Sequence, residues 1–102
     1  MTQPLDQHTH VSPSPSVYAR AFGAEIVLLD FGKGEYFGLD EVGADIWRRL
    51  EAGDDIGAAA DHLAAHYAVD RDEALRDIVD LVSELRSYGL VEAASGANAN
   101  PK

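Results

Sequence analysis

Few residues in this chain have chemistry to offer: His62 and His66, Ser83, the glycines at 32, 34 and 38, and the carboxylates Asp77, Asp80 and Glu84. His62 and His66 stand at i and i+4 of a helical pattern, which sets two imidazoles on one face, as a metal site requires. Leu63, not glutamate, follows the first histidine, and no third ligand recurs at a fixed spacing, so these histidines read as solvated or helix-flanking. Ser83 lies inside a helical repeat and not at a strand-to-helix turn, which excludes a nucleophile elbow. It also lacks the Asp-Ser-Leu helix start that a carrier protein's modified serine occupies. The glycines are not followed by Gly-Lys-Ser or Gly-Lys-Thr, so they make no phosphate loop. The absence of cysteine removes thiol nucleophiles, disulfides and thiolate zinc sites. No metal or cofactor is expected.

The carboxylates form a pattern. Asp77, Asp80 and Glu84 recur at i, i+3 and i+7, along one side of a helix beside Leu81 and Tyr88. A solvated face is the default reading of such a stripe, and contact with a basic peptide is the functional one, since it compensates the repulsion. The whole chain agrees in sign: 18 acidic against 8 basic residues give a net charge of −10, which repels a phosphate backbone and favours a basic partner. Nucleic acid is therefore not expected as a partner. The aliphatic run of residues 26–29 falls far short of the roughly 20 residues of a membrane span, and residues 1–11 have no apolar signal core, so no membrane association and a cytoplasmic location are expected.

The elements that must position these residues follow from periodicity. Residues 1–16, rich in Pro and Ser/Thr with little aliphatic content, read as a flexible tail, and residues 93–102 as a second one. Between them, residues 17–92 form one domain of a size that leaves no room for a deep enzyme cleft. Residues 17–20 and 25–30 read as strands joined through Gly23. A turn with Gly32 and Gly34 then delivers a third strand at 36–39, with Phe37 and Leu39 on its core face and Tyr36 and Gly38 on the other. Asp40 caps a helix carrying Gly43, Ile46, Trp47 and Leu50 and ending at Gly53, with Trp47 read as core. Asp54 or Asp55 caps a second helix with Ile56, Ala59, Ala60, Leu63, Ala64 and Tyr67 on one face. Asp70 opens a third with Glu73 three residues on, its inward positions Leu75, Ile78, Leu81, Val82 and Leu85 and its stop Gly89. The fold class is α+β: a winged-helix-like arrangement of a three-stranded antiparallel sheet followed by three α-helices.

Several of these segments together resemble the PqqD family. They are Leu28-Leu29-Asp30, then Gly34 through Asp40 (GEYFGLD), Gly43-Ala44, Ile46-Trp47, and at the end Ala74, Asp77, Leu81, Leu85 and Gly89-Leu90-Val91. The similarity spans residues 17–91 and is strongest toward the stand-alone members of lasso peptide clusters. Asp40 departs from the asparagine common in the family, and both cap helices. The resemblance implies a non-catalytic recognition element for the leader of a ribosomally synthesised precursor peptide. The leader would add as a strand to the third strand and lie beside the third helix, a mode that uses an exposed edge for affinity. Carried onto this chain, the peptide-binding residues are Tyr36, Phe37, Gly38 and Leu39 on the strand, and Asp77, Asp80, Leu81 and Glu84 on the helix. Arg76, Val79 and Arg86, on the opposite flank, are the competing placement. The implied partners are the leader peptide and either a leader peptidase or a radical S-adenosylmethionine enzyme.

Two readings from other classes share these elements. A winged-helix transcriptional regulator needs Lys and Arg on its recognition helix, where this chain has carboxylates. A small acidic carrier or adaptor is the other, separable by a gain in mass from phosphopantetheine.

Overall fold

Alternation in one central segment organises the sheet. Across Glu25–Asp30, Ile26, Leu28 and Asp30 are buried while Val27 and Leu29 face the other side, half-exposed. The computed structural model describes residues 4–94. Its elements run β1 (His10–Pro13), β2 (Val17–Phe22), β3 (Glu25–Asp30), β4 (Glu35–Leu39), α1 (Glu41–Glu51), α2 (Ile56–Tyr67), α3 (Arg71–Ser87) and β5 (Val91–Ala94). Strands β2, β3 and β4 form an antiparallel sheet in that order. Leu28 stands opposite Phe37 and Ile26 opposite Leu39 on its inner face; Leu29 opposite Tyr36 and Val27 opposite Gly38 lie on its outer face. The expected core pair holds: Leu39 is buried and Phe37 packs half-buried against the core. The α+β arrangement of three strands and three helices is the one the chain adopts.

Each helix starts at an aspartate whose carboxylate takes up an otherwise orphaned backbone N–H. Asp40 accepts from Gly43 N at 2.8 Å, Asp55 from Ala58 N at 2.8 Å and Asp70 from Asp72 N at 3.2 Å. The helices bury Ile46, Trp47 and Leu50 from α1, Ile56 and Leu63 from α2, and Ile78, Val82 and Leu85 from α3 against Leu28 and Ile26 of the sheet. Each large side chain so buried contributes about 1.5–3 kcal/mol. Helices α1 and α2 are also joined by polar groups. His62 Nε2 lies 3.1 Å from Asp45 Oδ2, and the Tyr67 hydroxyl donates to the same oxygen at 3.1 Å.

The expected tails need correction. Residues 4–16 do not form a free tail: β1 pairs antiparallel with β5, His10 opposite Ala94 and Pro13 opposite Val91. Thr9 and Val11 are buried. The segment is ordered by its backbone more than by its side chains. The carbonyl of Thr9 accepts from Ile56 N at 2.9 Å and that of Gln7 from Gly57 N at 2.7 Å. With Asp55 bonded to Ala58 N, the first three amides of α2 are all satisfied. Gly57 permits this approach, since a Cβ there would stand 2.9 Å from Gln7 O. Ala93 and Ala94, also expected in a tail, belong to β5. The remainder of the expected tails, residues 1–3 and 95–102, lies outside the described residues.

Two outcomes test this account. Val11→Ala removes buried methyl groups and lowers stability by about 2 kcal/mol in urea unfolding, which a free tail would not do. Burial raises the pKa of Asp45, but its bonds to His62 and Tyr67 and the nearby imidazoles outweigh that, leaving its carboxyl below the ordinary value of 3.8. A depressed carboxyl contributes stability that is complete above the ordinary value and is lost as pH falls through the folded one. Between about pH 5 and about pH 2, wild type therefore loses more stability than Asp45→Asn, measured as the urea midpoint.

Candidate functional site

One buried carboxylate shapes the turn that presents β4. Asp30, at the end of β3, is 2% exposed, and its Oδ1 accepts from Ser16 Oγ at 3.0 Å, Gly32 N at 2.9 Å and Lys33 N at 3.3 Å. A carboxylate is tolerated in such a place when donors surround it. The turn closes with Gly34 N on the Asp30 carbonyl at 2.8 Å, and Gly34 takes a φ of +70° that favours glycine. Strand β4 then leaves the turn along β3. Among the described residues no strand pairs with its outer edge.

The facing wall is the end of α3. Gly89 at φ +73° stops the helix. Leu90 N bonds to Leu85 O at 2.9 Å and Gly89 N to Arg86 O at 3.0 Å, the paired bonds of a Schellman turn. This turn buries Leu90 and holds Tyr88 toward the sheet, where its ring lies 5.7 Å from that of Phe37. Lys33 spans the two sides, its Nζ donating to the Tyr88 carbonyl at 2.7 Å. Between them lies an open cleft of about 460 Å³ lined by Gly34, Glu35, Tyr36, Phe37, Tyr88 and Leu90. It combines an unpaired strand edge, aromatic walls and an aliphatic floor, and no nucleophile or acid–base pair lines it. Its chemistry is that of holding an extended chain.

The residues singled out from sequence fall into three groups. Tyr36 and Phe37 line the cleft. Gly38 and Leu39 continue the same strand without lining it; Leu39 turns into the core, and a Cβ on Gly38 would meet nothing within 4 Å among the described residues, none of which requires a glycine there. Asp77, Asp80 and Glu84 are exposed on α3 and Leu81 is half-buried, none of them in the lining. By helical spacing Leu81 and Glu84 stand seven and four residues before Tyr88, so Asp77, Leu81 and Glu84 share the flank that ends in the cleft, with Asp80 farther toward solvent. Sequence reasoning did not place Gly34, Glu35, Tyr88 or Leu90 in a site; for Tyr88 the signal was its position one turn beyond the stripe and next to the Gly89 stop.

The other candidates lie elsewhere. Trp47 is core, its Nε1 buried without a hydrogen-bond partner among the described residues. His62 is engaged by Asp45 and stacks on His66 at 5.3 Å. Among the described residues no group of three or more His, Cys, Asp or Glu is placed to hold a metal ion.

Comparison with known proteins agrees with this fold. The family model described as coenzyme PQQ synthesis protein D (PqqD) matches residues 25–91. A solved structure of TbiB1 in complex with the TbiA(beta) leader peptide is 38% identical over 79% of this chain and 94% of that one, with a TM-score of 0.77. A lasso peptide synthetase B1 complexed with the leader peptide is 32% identical over 81% of this chain and 98% of that one, again with a TM-score of 0.77. No curated protein matches the chain.

Asp30 is the position to probe. Asp30→Ala strips three donors of their acceptor and lowers stability by about 2 kcal/mol in urea unfolding. Amide exchange in that variant rises first at Gly32, Lys33 and Gly34, and unchanged protection of the turn would rule out the role given to the carboxylate.

Proposed function

This chain belongs to the PqqD family, and from that premise we propose that it is a non-catalytic recognition element for the leader of a ribosomally synthesised precursor peptide. The leader adds as an extended strand to the outer edge of β4 and seats side chains in the cleft against Phe37 and Tyr88. The observation that carries this reading is the coincidence of an unpaired strand edge with an aromatic cleft along it. The two solved relatives, each bound to a leader peptide, support it.

The acidic flank of Asp77, Asp80 and Glu84 extends the site for lysines of the leader, with Leu81 offering an apolar contact beside them. The same carboxylates argue against a winged-helix regulator, which would bring this helix to phosphates. The protein supplies effective concentration in place of chemistry: a held leader keeps the rest of the precursor near an enzyme. That enzyme is a leader peptidase of the cysteine protease type in a lasso pathway, or a radical S-adenosylmethionine enzyme in a PqqD-like one. Among the described residues no helix is long and apolar enough to cross a membrane, in keeping with the cytoplasmic location we assign to the protein.

Fluorescence anisotropy with a labelled leader peptide tests the reading. A peptide with lysines ahead of a Tyr-x-x-Pro-x-Leu pattern binds saturably and its scrambled counterpart does not. Asp80→Lys or Glu84→Lys weakens binding by about 3- to 10-fold, less so as salt rises, while Arg76→Glu leaves it unchanged. The reverse pattern moves the groove to the other flank of α3, and no binding of this or other leaders removes the function.

A further inference from the structure

The end of α3 is held to the sheet by donors that lie outside the helix. Carbonyls at a helix end have no partner within it, and two of those here accept side chains from elsewhere. Lys33 Nζ bonds to the Tyr88 carbonyl at 2.7 Å and Ser14 Oγ to the Gly89 carbonyl at 2.8 Å. Ser14 belongs to the segment before β2 and Lys33 to the turn after β3, the two segments that the Asp30 carboxylate draws together. An ammonium suits its place, because the C-terminal end of a helix carries the negative pole of its dipole.

The two residues that line the cleft on this wall are held unequally. Leu90 is buried, with its amide in the Schellman turn and its carbonyl on Ser14 N at 3.0 Å. Tyr88 is 48% exposed, and its ring rests on Phe37 across the cleft. The bond from Lys33 ties the Tyr88 backbone to the strand side. Lys33 and Tyr88 stand 55 residues apart in the chain, so no local preference sets the distance between the walls.

Lys33 is itself aimed. Asp30 Oδ1 holds its backbone N–H, and Gly34 beside it closes the turn. Gly89 leaves the side chain room, since a Cβ there would stand 2.8 Å from Lys33 Nζ. The same glycine thus serves twice, as the helix stop and as clearance for the ammonium.

We propose that Lys33 is a positioning residue for peptide binding: its bond to the Tyr88 carbonyl sets the aromatic wall at its distance from β4 before a leader arrives. The inference rests on the leader-binding reading and adds what pre-forms the cleft. Lys33 acts through Tyr88 and not by reading the charge of the peptide. A wall fixed in advance spares the complex the cost of ordering it on binding. Where only a fraction of the free protein has the wall in place, apparent affinity falls by that fraction.

The test uses the full chain carrying Lys33→Met, which keeps a long side chain and removes its donor. Lys33 is exposed, so the change disturbs no packed group, and circular dichroism checks the fold. Two labelled leaders are compared, one bearing acidic residues and one with each Asp and Glu exchanged for Asn and Gln. Affinity for both falls by about 3- to 10-fold, chiefly through slower association. Without peptide, nuclear Overhauser contacts between the Phe37 and Tyr88 rings weaken. A loss confined to the acid-bearing leader overturns the proposal in favour of direct contact between Lys33 and the peptide. Unchanged affinity, or an unchanged ring contact, overturns it outright. Wild type that binds neither leader overturns the underlying reading instead, and the ring contact, measured without peptide, reports on the Lys33 bond separately.

Discussion

Everything placed at the cleft depends on the Asp30 carboxylate. It is the charged group sealed at the end of the central strand, and it gathers donors from the segment before β2 and from the turn after β3. A charge withdrawn from water is stable only while its acceptors are filled, so the turn is held in the one conformation that fills them. That conformation aims Lys33 at the end of α3 and starts β4 at the right height. Helix and strand thus meet through the carboxylate's geometry as much as through apolar contact.

Strand β4 has three uses, each assigned to a different direction of the backbone. Its inner side chains, Phe37 and Leu39, join the core; its outer ones, Tyr36 and Gly38, face away; its edge is unpaired among the described residues. Pleating keeps these directions independent, so a change on the outer face need not disturb the core. An exposed edge is a hazard in most proteins. Here the strand is only five residues long, which limits the template it offers to another copy of itself.

What the sequence made legible follows a physical division between local and distant causes. Caps at Asp40 and Asp70, the stop at Gly89 and the alternation of β4 are decided within a few residues, and all could be read. For α2 the choice between Asp54 and Asp55 was open; Asp55 is the cap, and Asp54 pairs with Arg49 instead. Strand β1 was invisible because Val11 is one apolar residue among Ser, Thr, His and Pro, and its ordering comes from backbone bonds to α2 and β5 far along the chain. Likewise Tyr36 and Phe37 were legible as strand residues, whereas Tyr88 and Leu90 join them only because a helix end is brought to that strand. The stripe of Asp77, Asp80 and Glu84 was legible as a stripe, and its continuity with Tyr88 is a matter of helix phase; that Tyr88 itself lines the cleft is tertiary.

The pairing of β1 with β5 joins the two ends of the described chain, so the loop it closes contains nearly the whole fold. Closing a loop of that length costs the most chain entropy of any strand pairing among the described residues and brings little until the parts between are in place. The two strands therefore form a latch whose closure is repaid only when the elements between them are in place. The segment that leads into β1 also satisfies helix amides at the start of α2, so opening the latch exposes the α2 start, β1 and β5 together.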